Sequence, residues 1–331
     1  MLMDEIFPVL DYRKLAGDDP QGELARLRTA CREMGFFMLG HHGVPRQLSD
    51  ELFAASTGFF DQPSAAKEAA RPPAGTFHAG YHGFAEDYLA LGEDEQSPAD
   101  LREFFVVGPG ALPEDASGAR APSRFHRPNI WPPGSERLRM AALAYSSRLE
   151  RLSAEVLGFV ARSLGLPGTH FDAVLQRHFN ALNIAHYPPP SRAPKPGQLR
   201  ASPHTDYGSL TLLLPNNANG GLQVVSKTGE WIDVPLVRDA FVVNLGDLVE
   251  MWTNGHYRSA MHRVCNPDVS AGEASRRISI VYFQHPDPAA PMHYLPDHAP
   301  AGLQTHPDFA TAGDFMWSIM NKIAPKIAET V

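Results

Sequence analysis

Cysteine is nearly absent from this 331-residue chain: Cys31 and Cys265 are the only two, far apart and with no CxxC partner. That excludes a disulfide scaffold and a thiolate zinc site. It fits a reducing compartment, so a cytoplasmic location is expected. Long apolar runs are also missing. None approaches the roughly 20 residues that span a bilayer, and no membrane partner is expected. The opening Met-Leu-Met-Asp-Glu-Ile has no basic region followed by an apolar stretch, which argues against a signal peptide. Basic clusters are lacking, and the formal charge is −8 with a pI near 6.0, so nucleic acid is not expected as a partner. No internal repeat is visible. What remains is a composition of 43% apolar and 20% charged residues, that of a soluble globular protein long enough to bury a large core. Thirty prolines and 27 glycines predict many turns and several long loops.

The first half of the chain mixes elements. Phe7–Asp11 reads as a short strand and Asp19–Met34 as an amphipathic helix, with Leu24, Leu27 and Ala30 among its apolar positions. Gly35–Leu39 is a buried-strand signal, His41–Pro45 a turn, and Arg46–Phe60 a second helix. Gln62–Asp100, rich in Gly, Pro, Ala and His, predicts little regular structure, and loops of that length usually serve as lids or mobile segments. Leu101–Val107 is a strand, and a long helix is expected over Ser135–Leu164.

From Phe179 the period changes to two. The segments Leu182–Tyr187, Leu210–Leu214, Leu222–Val225, Trp231–Val234, Ala240–Asn244, Tyr257–Val264 and Ile278–Phe283 are short and punctuated by turn signals such as Pro188–Pro190, Asn216–Gly221 and Asn254-Gly255. That pattern predicts a mainly β protein with flanking helices around a double-stranded β-helix, the cupin-like jelly roll. A last helix is expected over Ala312–Ile327. The expected organisation is an N-terminal region of helices, strands and lid loops (1–125), a helical segment (126–178), the jelly-roll core (179–287) and a C-terminal loop and helix (288–331), together one compact unit.

Within the core, Ser202-Pro-His204-Thr-Asp206 carries polar groups at alternate positions. Side chains two apart on a strand share a face about 7 Å apart, so His204 and Asp206 can point at one ion. His262, in Tyr257-Arg-Ser-Ala-Met-His262-Arg-Val, is placed to supply a third ligand from a neighbouring strand. Two histidines and one carboxylate are the ligand set of non-haem Fe(II) oxygenases. His256 is the rival third ligand, but it sits beside the Asn254-Gly255 turn and should be exposed. His41, His42 and His186 have no matching partner and read as structural, as do Asn244, Gly246 and Asp247, which look like a turn. Arg277 and Ser279 share a strand face by the same period. A guanidinium fork can grip a carboxylate through two parallel hydrogen bonds, and the serine hydroxyl can add a third. Arg276, on the opposite face, reads as a surface ion pair. Asp268–Ser275 reads as a loop.

These motifs, in order, resemble the isopenicillin N synthase-like branch of the 2-oxoglutarate and Fe(II)-dependent oxygenases. The likeness runs through Pro8-Val-Leu-Asp11, Gly35-Phe-Phe, His42-Gly43-Val and Gly80-Tyr81. It continues through His204-Thr-Asp206-Tyr-Gly-Ser-Leu-Thr-Leu-Leu, Gly221-Leu-Gln-Val, Trp231-Ile-Asp-Val-Pro235, Val243-Asn-Leu-Gly-Asp247, Trp252-Thr-Asn-Gly255, His262-Arg-Val264 and Arg277-Ile-Ser279. The resemblance implies a dioxygenase that uses Fe(II), O2 and 2-oxoglutarate, with ascorbate as a reductant. Such an enzyme oxidises a small organic molecule through a ferryl intermediate, by hydroxylation, desaturation or cyclisation, and releases succinate and CO2. It implies His204, Asp206 and His262 as iron ligands and the Arg277/Ser279 pair as holder of the distal C5-carboxylate of 2-oxoglutarate. Tyr187 and Asn183 would supplement that carboxylate site; Ala185 stands where the family often has asparagine. Tyr207 and Phe283, beside the motifs, are expected to line the substrate pocket. The alternatives are an oxidase of the same fold that takes its electrons from substrate or ascorbate, and a non-catalytic cupin-like binder.

Overall fold

Strand alternation explains how the chain makes two faces out of one sheet. In a computed structural model, which describes residues 6–73, 79–86, 98–110, 125–190, 193–216 and 220–328, twelve strands form two sheets. The large sheet contains β1 (Val9–Asp11), β2 (Phe36–Gly40), β3 (Gly80–His82), β4 (Glu103–Val107), β5 (Ala181–Tyr187), β7 (Leu210–Pro215), β10 (Ala240–Leu245) and β12 (Arg277–Gln284). Its order is β1-β2-β10-β7-β12-β5-β4-β3. The small sheet runs β6-β11-β8-β9, built from β6 (Ala201–His204), β8 (Leu222–Val225), β9 (Trp231–Asp233) and β11 (His262–Val264). From β5 to β12 the chain passes back and forth between the sheets, the connectivity of a jelly roll.

On β12, Ile278, Ile280 and Tyr282 join the core on the helix side, whereas Arg277, Ser279, Val281 and Phe283 face the space between the sheets. The same alternation puts Leu182 and Ile184 of β5 on the helix side and Asn183, Ala185 and Tyr187 inside. The inter-sheet core is closed by Phe36, Met38, Phe104, Val106, Leu222 and Val264.

The helix side is covered by α1 (Tyr12–Ala16), α2 (Gln21–Glu33), α3 (Arg46–Phe60), α4 (Ser64–Glu68) and the long α5 (Glu136–Ser163). Leu138, Ala142, Tyr145, Leu149, Leu152 and Val156 recur every three or four residues and give α5 one apolar stripe, all of it buried. The helix stops at Gly165, where φ is +81° and Leu166 N–H donates to Ala161 O at 3.0 Å. Two further helices are α6 (Asp247–Trp252) and α7 (Ala312–Ala328). No helix among the described residues is long and apolar enough to cross a membrane.

Three expectations change. Gln62–Asp100 contains α4 and β3, and residues 74–78 and 87–97 of it lie outside the described residues. The strand expected over Tyr257–Val264 is reduced to β11, because Tyr257 N–H is taken by Thr253 Oγ1 at 3.0 Å rather than by a neighbouring strand. The expected Asp268–Ser275 loop contains a 3-10 turn over Val269–Ser275, kinked at Gly272. The reading of Arg276 stands, as it pairs with Asp61 at 2.7 Å.

One buried polar cluster ties the N-terminal strands to the core. Glu103 accepts from Lys67 Nζ (2.7 Å) and Tyr81 Oη (2.5 Å), and its other oxygen lies 2.7 Å from His186 Nδ1. Burial pushes this carboxyl up, but His186, Lys67 and Tyr81 outweigh it and hold it below its ordinary value. Its contribution to stability is therefore present at neutral pH and lost as pH falls through the lowered value. Glu103→Ala leaves Lys67 buried without its partner and is expected to cost about 3–5 kcal/mol in urea unfolding at unchanged m. A loss under about 1 kcal/mol would contradict this account of the cluster.

Candidate active site

Strand β6 delivers His204 to the inter-sheet space, and antiparallel pairing sets it directly opposite His262 of β11. The register shifts just beyond, between His262 and Val264. Such bulges re-aim side chains beside sites. The two imidazoles lie with centroids 4.3 Å apart. His204 Nδ1 is 2.7 Å from Ser202 O and His262 Nδ1 is 3.0 Å from Ala260 O. A carbonyl only accepts, so each Nδ1 carries the proton and each Nε2 keeps a lone pair. Burial first, and then the neighbouring His262, push the His204 imidazole down to about 3, which keeps that lone pair free at neutral pH.

Asp206 lies just past the end of β6 and completes the cluster. Its Oδ2 accepts from Thr211 Oγ1 and Asn244 Nδ2, both at 2.6 Å. Its Oδ1 is left facing the histidines, 3.9 Å from His204 Nε2 and 3.7 Å from His262 Nε2. Burial pushes the carboxyl up, but His262, His204, Asn244 and Thr211 together hold it below its ordinary value. One ligand atom from each of the three residues lies within 4.8 Å of the others, a set that could hold one metal ion. The turn carrying Asp206 is clamped by the start of α6, where Asp247 N–H donates to Asp206 O at 2.8 Å. The approach requires Gly246, where a Cβ would run into Gly208 O and Asp206 O.

Across the same cavity lies Arg277, 1% exposed. Its Nε donates to Ser279 Oγ (2.9 Å) and its Nη1 to Gly220 O (2.6 Å), while its buried Nη2 has no partner. It makes no ion pair with any described acid. Burial pushes the guanidinium pKa down. A buried cation with an unused donor and no counter-charge is costly, and it suits an arriving carboxylate. Tyr187, Asn183 and Phe283 line this cavity too, and Asn183 Oδ1 is buried without a partner.

Residues 174–286 match the family model of the 2OG-Fe(II) oxygenase superfamily. Residues 7–134 match that of the non-haem dioxygenase in morphine synthesis N-terminal region. The validamycin A dioxygenase of Streptomyces hygroscopicus subsp. limoneus is 33% identical over 89% of this chain and 80% of its own. The chain belongs to the 2-oxoglutarate and Fe(II)-dependent oxygenase superfamily. The 2-oxoglutarate-dependent dioxygenase citB of Monascus ruber is 36% identical over 80% of each chain. A full-length Neurospora crassa protein, crystallised in complex with alpha-KG and thymine, superposes with a TM-score of 0.79 at 26% identity, covering 98% of this chain and 97% of that one. The oxygenase is thus an Fe(II)- and 2-oxoglutarate-using oxidoreductase, and the relatives favour this over an oxidase that dispenses with 2-oxoglutarate.

The oxygenase departs from the sequence reading at two places. Tyr207 packs against the helix-side core rather than lining the cavity, because one residue on from Asp206 its side chain faces the opposite way to His204 and Asp206. Asn244 is more than a turn residue: with Thr211 it fixes which oxygen of Asp206 is free. The signal for Asn244 and Thr211 was a polar side chain on the inward face of an otherwise apolar strand. His186 is structural as expected, but as part of the Glu103 cluster. His256 is exposed, as its turn position requires.

Proposed function

We propose that His204 Nε2, His262 Nε2 and Asp206 Oδ1 ligate the catalytic Fe(II). In this reading Arg277 and Ser279, with Tyr187 and Asn183 beside them, receive the C5-carboxylate of 2-oxoglutarate, and Phe283 contacts a small organic substrate. The observation that carries this reading is Arg277: buried, unpaired by any described acid, and with a free Nη2 in the cavity that holds the His-Asp-His cluster. Ser202 and Ala260 carbonyls orient the two imidazoles, and Thr211 and Asn244 orient the carboxylate, so the ligand set is preorganised. Ser279 holds the guanidinium by its Nε, and Nη2 is left without a partner. Phe36, Leu222 and Val264 add apolar lining to the same cavity. When bound, iron and 2-oxoglutarate supply the oxidising power, with O2 consumed and the cosubstrate leaving as succinate and CO2. The small molecules held by structural neighbours, thymine and 5-formyluracil, support a small-molecule substrate.

Succinate release should require both Fe(II) and 2-oxoglutarate and rise when a matching small molecule is added. Product formation with ascorbate but no 2-oxoglutarate would contradict the proposal. Asn244→Ala is expected to weaken Fe(II) binding about 10- to 100-fold with little change in melting temperature. Competition with a chromogenic chelator measures this, and wild-type affinity would remove Asn244 from the account.

A further inference from the structure

Two arginines approach the ring of Tyr187. Arg277 Cζ is 5.9 Å from the centre of its ring and Arg200 Cζ is 5.8 Å from it. Arg200, just ahead of β6, is 5% exposed. Its Nη2 donates to Ser275 O at 2.6 Å and Pro188 O at 3.3 Å, which fixes the group at the exit of β5 and the entry to β12. Neither guanidinium has an ion-pair partner among the described residues. Burial and the nearby Arg277 push Arg200 down to about 10, so two cations sit in repulsion around one aromatic ring. The fold has already met the cost of desolvating both charges, and nothing on the described chain neutralises them. An anion at Arg277 would feel both, because poorly screened charges act beyond contact distance.

We infer that Arg200 is a positioning residue for the cosubstrate: from beside Tyr187 it holds that ring against Arg277 and adds a second positive charge that selects a 2-oxo acid with a distal carboxylate. Arg200 does not line the cavity and touches no reacting atom. Its effect passes through Tyr187 and through the field at Arg277. The inference rests on the reading of Arg277 and Ser279 as holders of the C5-carboxylate. It goes beyond that reading in assigning the second charge and its consequence for selectivity.

Anaerobic calorimetric titration of the Fe(II)-loaded protein tests it with two ligands. One is 2-oxoglutarate; the other is 2-oxopentanoate, which has the same chain and 2-oxo acid end but no distal carboxylate. Arg200→Gln is expected to weaken 2-oxoglutarate about tenfold and leave 2-oxopentanoate within about twofold. Arg200→Lys, which keeps the charge, is expected to stay within about threefold of wild type for both. Equal weakening of the two acids by Arg200→Gln, or weakening of neither, would overturn the inference in favour of a purely structural role. If the glutamine variant does not fold, the lysine variant decides, and a tenfold loss of 2-oxoglutarate affinity with charge retained would also overturn it. Arg277→Gln serves as the reference. Wild-type 2-oxoglutarate affinity there would locate the failure in the pocket assignment itself and bring down both.

Discussion

Asp206→Asn is expected to lower Fe(II) affinity on the order of 10³-fold and abolish succinate formation while the melting temperature stays within a few degrees of wild type. The substitution separates metal binding from folding. Thr211 Oγ1 and Asn244 Nδ2 both donate to one oxygen of the residue, 2.6 Å away, and the amide oxygen of asparagine can accept from both. The amide nitrogen then faces His204 and His262 with no lone pair to offer a metal. Changing a group that only orients a ligand costs about 10- to 100-fold in metal affinity, so replacing the ligand itself should cost more. Equilibrium dialysis of Fe(II), with succinate measured in parallel, checks both effects. Unchanged turnover would remove Asp206 from the site.

Arg277→Ala is expected to weaken 2-oxoglutarate by about 30-fold or more while Fe(II) affinity stays within about threefold. Removing one partner of a buried, hydrogen-bonded charge pair costs about 2–5 kcal/mol. At about 1.4 kcal/mol per factor of ten, that range spans roughly 30-fold to several thousandfold. The guanidinium is well placed to show the full cost, since it is 1% exposed and already anchored by Ser279 and the Gly220 carbonyl. Measuring Kd for each ligand separately decides the matter. Parallel losses of iron and 2-oxoglutarate would mean that Arg277 supports the core rather than the cosubstrate.

Much of the fold and site was legible because it depends on periods. The two-residue alternation of Arg277 and Ser279 fixes their common face, and antiparallel pairing of β6 with β11 brings His204 opposite His262. Alternation also places Tyr187 and Asn183 inside, from residues on a single strand. Tyr207 is expected in the cavity only from its place beside the motif, and one residue on from Asp206 it faces the helix side instead. Composition misleads where the chain leaves the strand. Tyr257 looked like a strand residue from its composition, but its backbone is capped by Thr253 of the preceding turn. Asn244 and Thr211 were visible as inward polar residues, yet their shared partner appears only when β7 and β10 pair and bring both to Asp206. The Arg200–Tyr187–Arg277 cluster joins residues 13 and 77 positions apart in the sequence, and no local pattern announces it.

The most direct test of the metal and cosubstrate sites is the visible spectrum under anaerobic conditions as purified protein, Fe(II) and 2-oxoglutarate are combined. A charge-transfer band should appear only when all three are present, and it should be lost in His262→Ala and in Asp206→Asn. Iron bound with no band would contradict 2-oxoglutarate chelation at this centre, and no iron bound by the wild-type protein would contradict the ligand assignment itself.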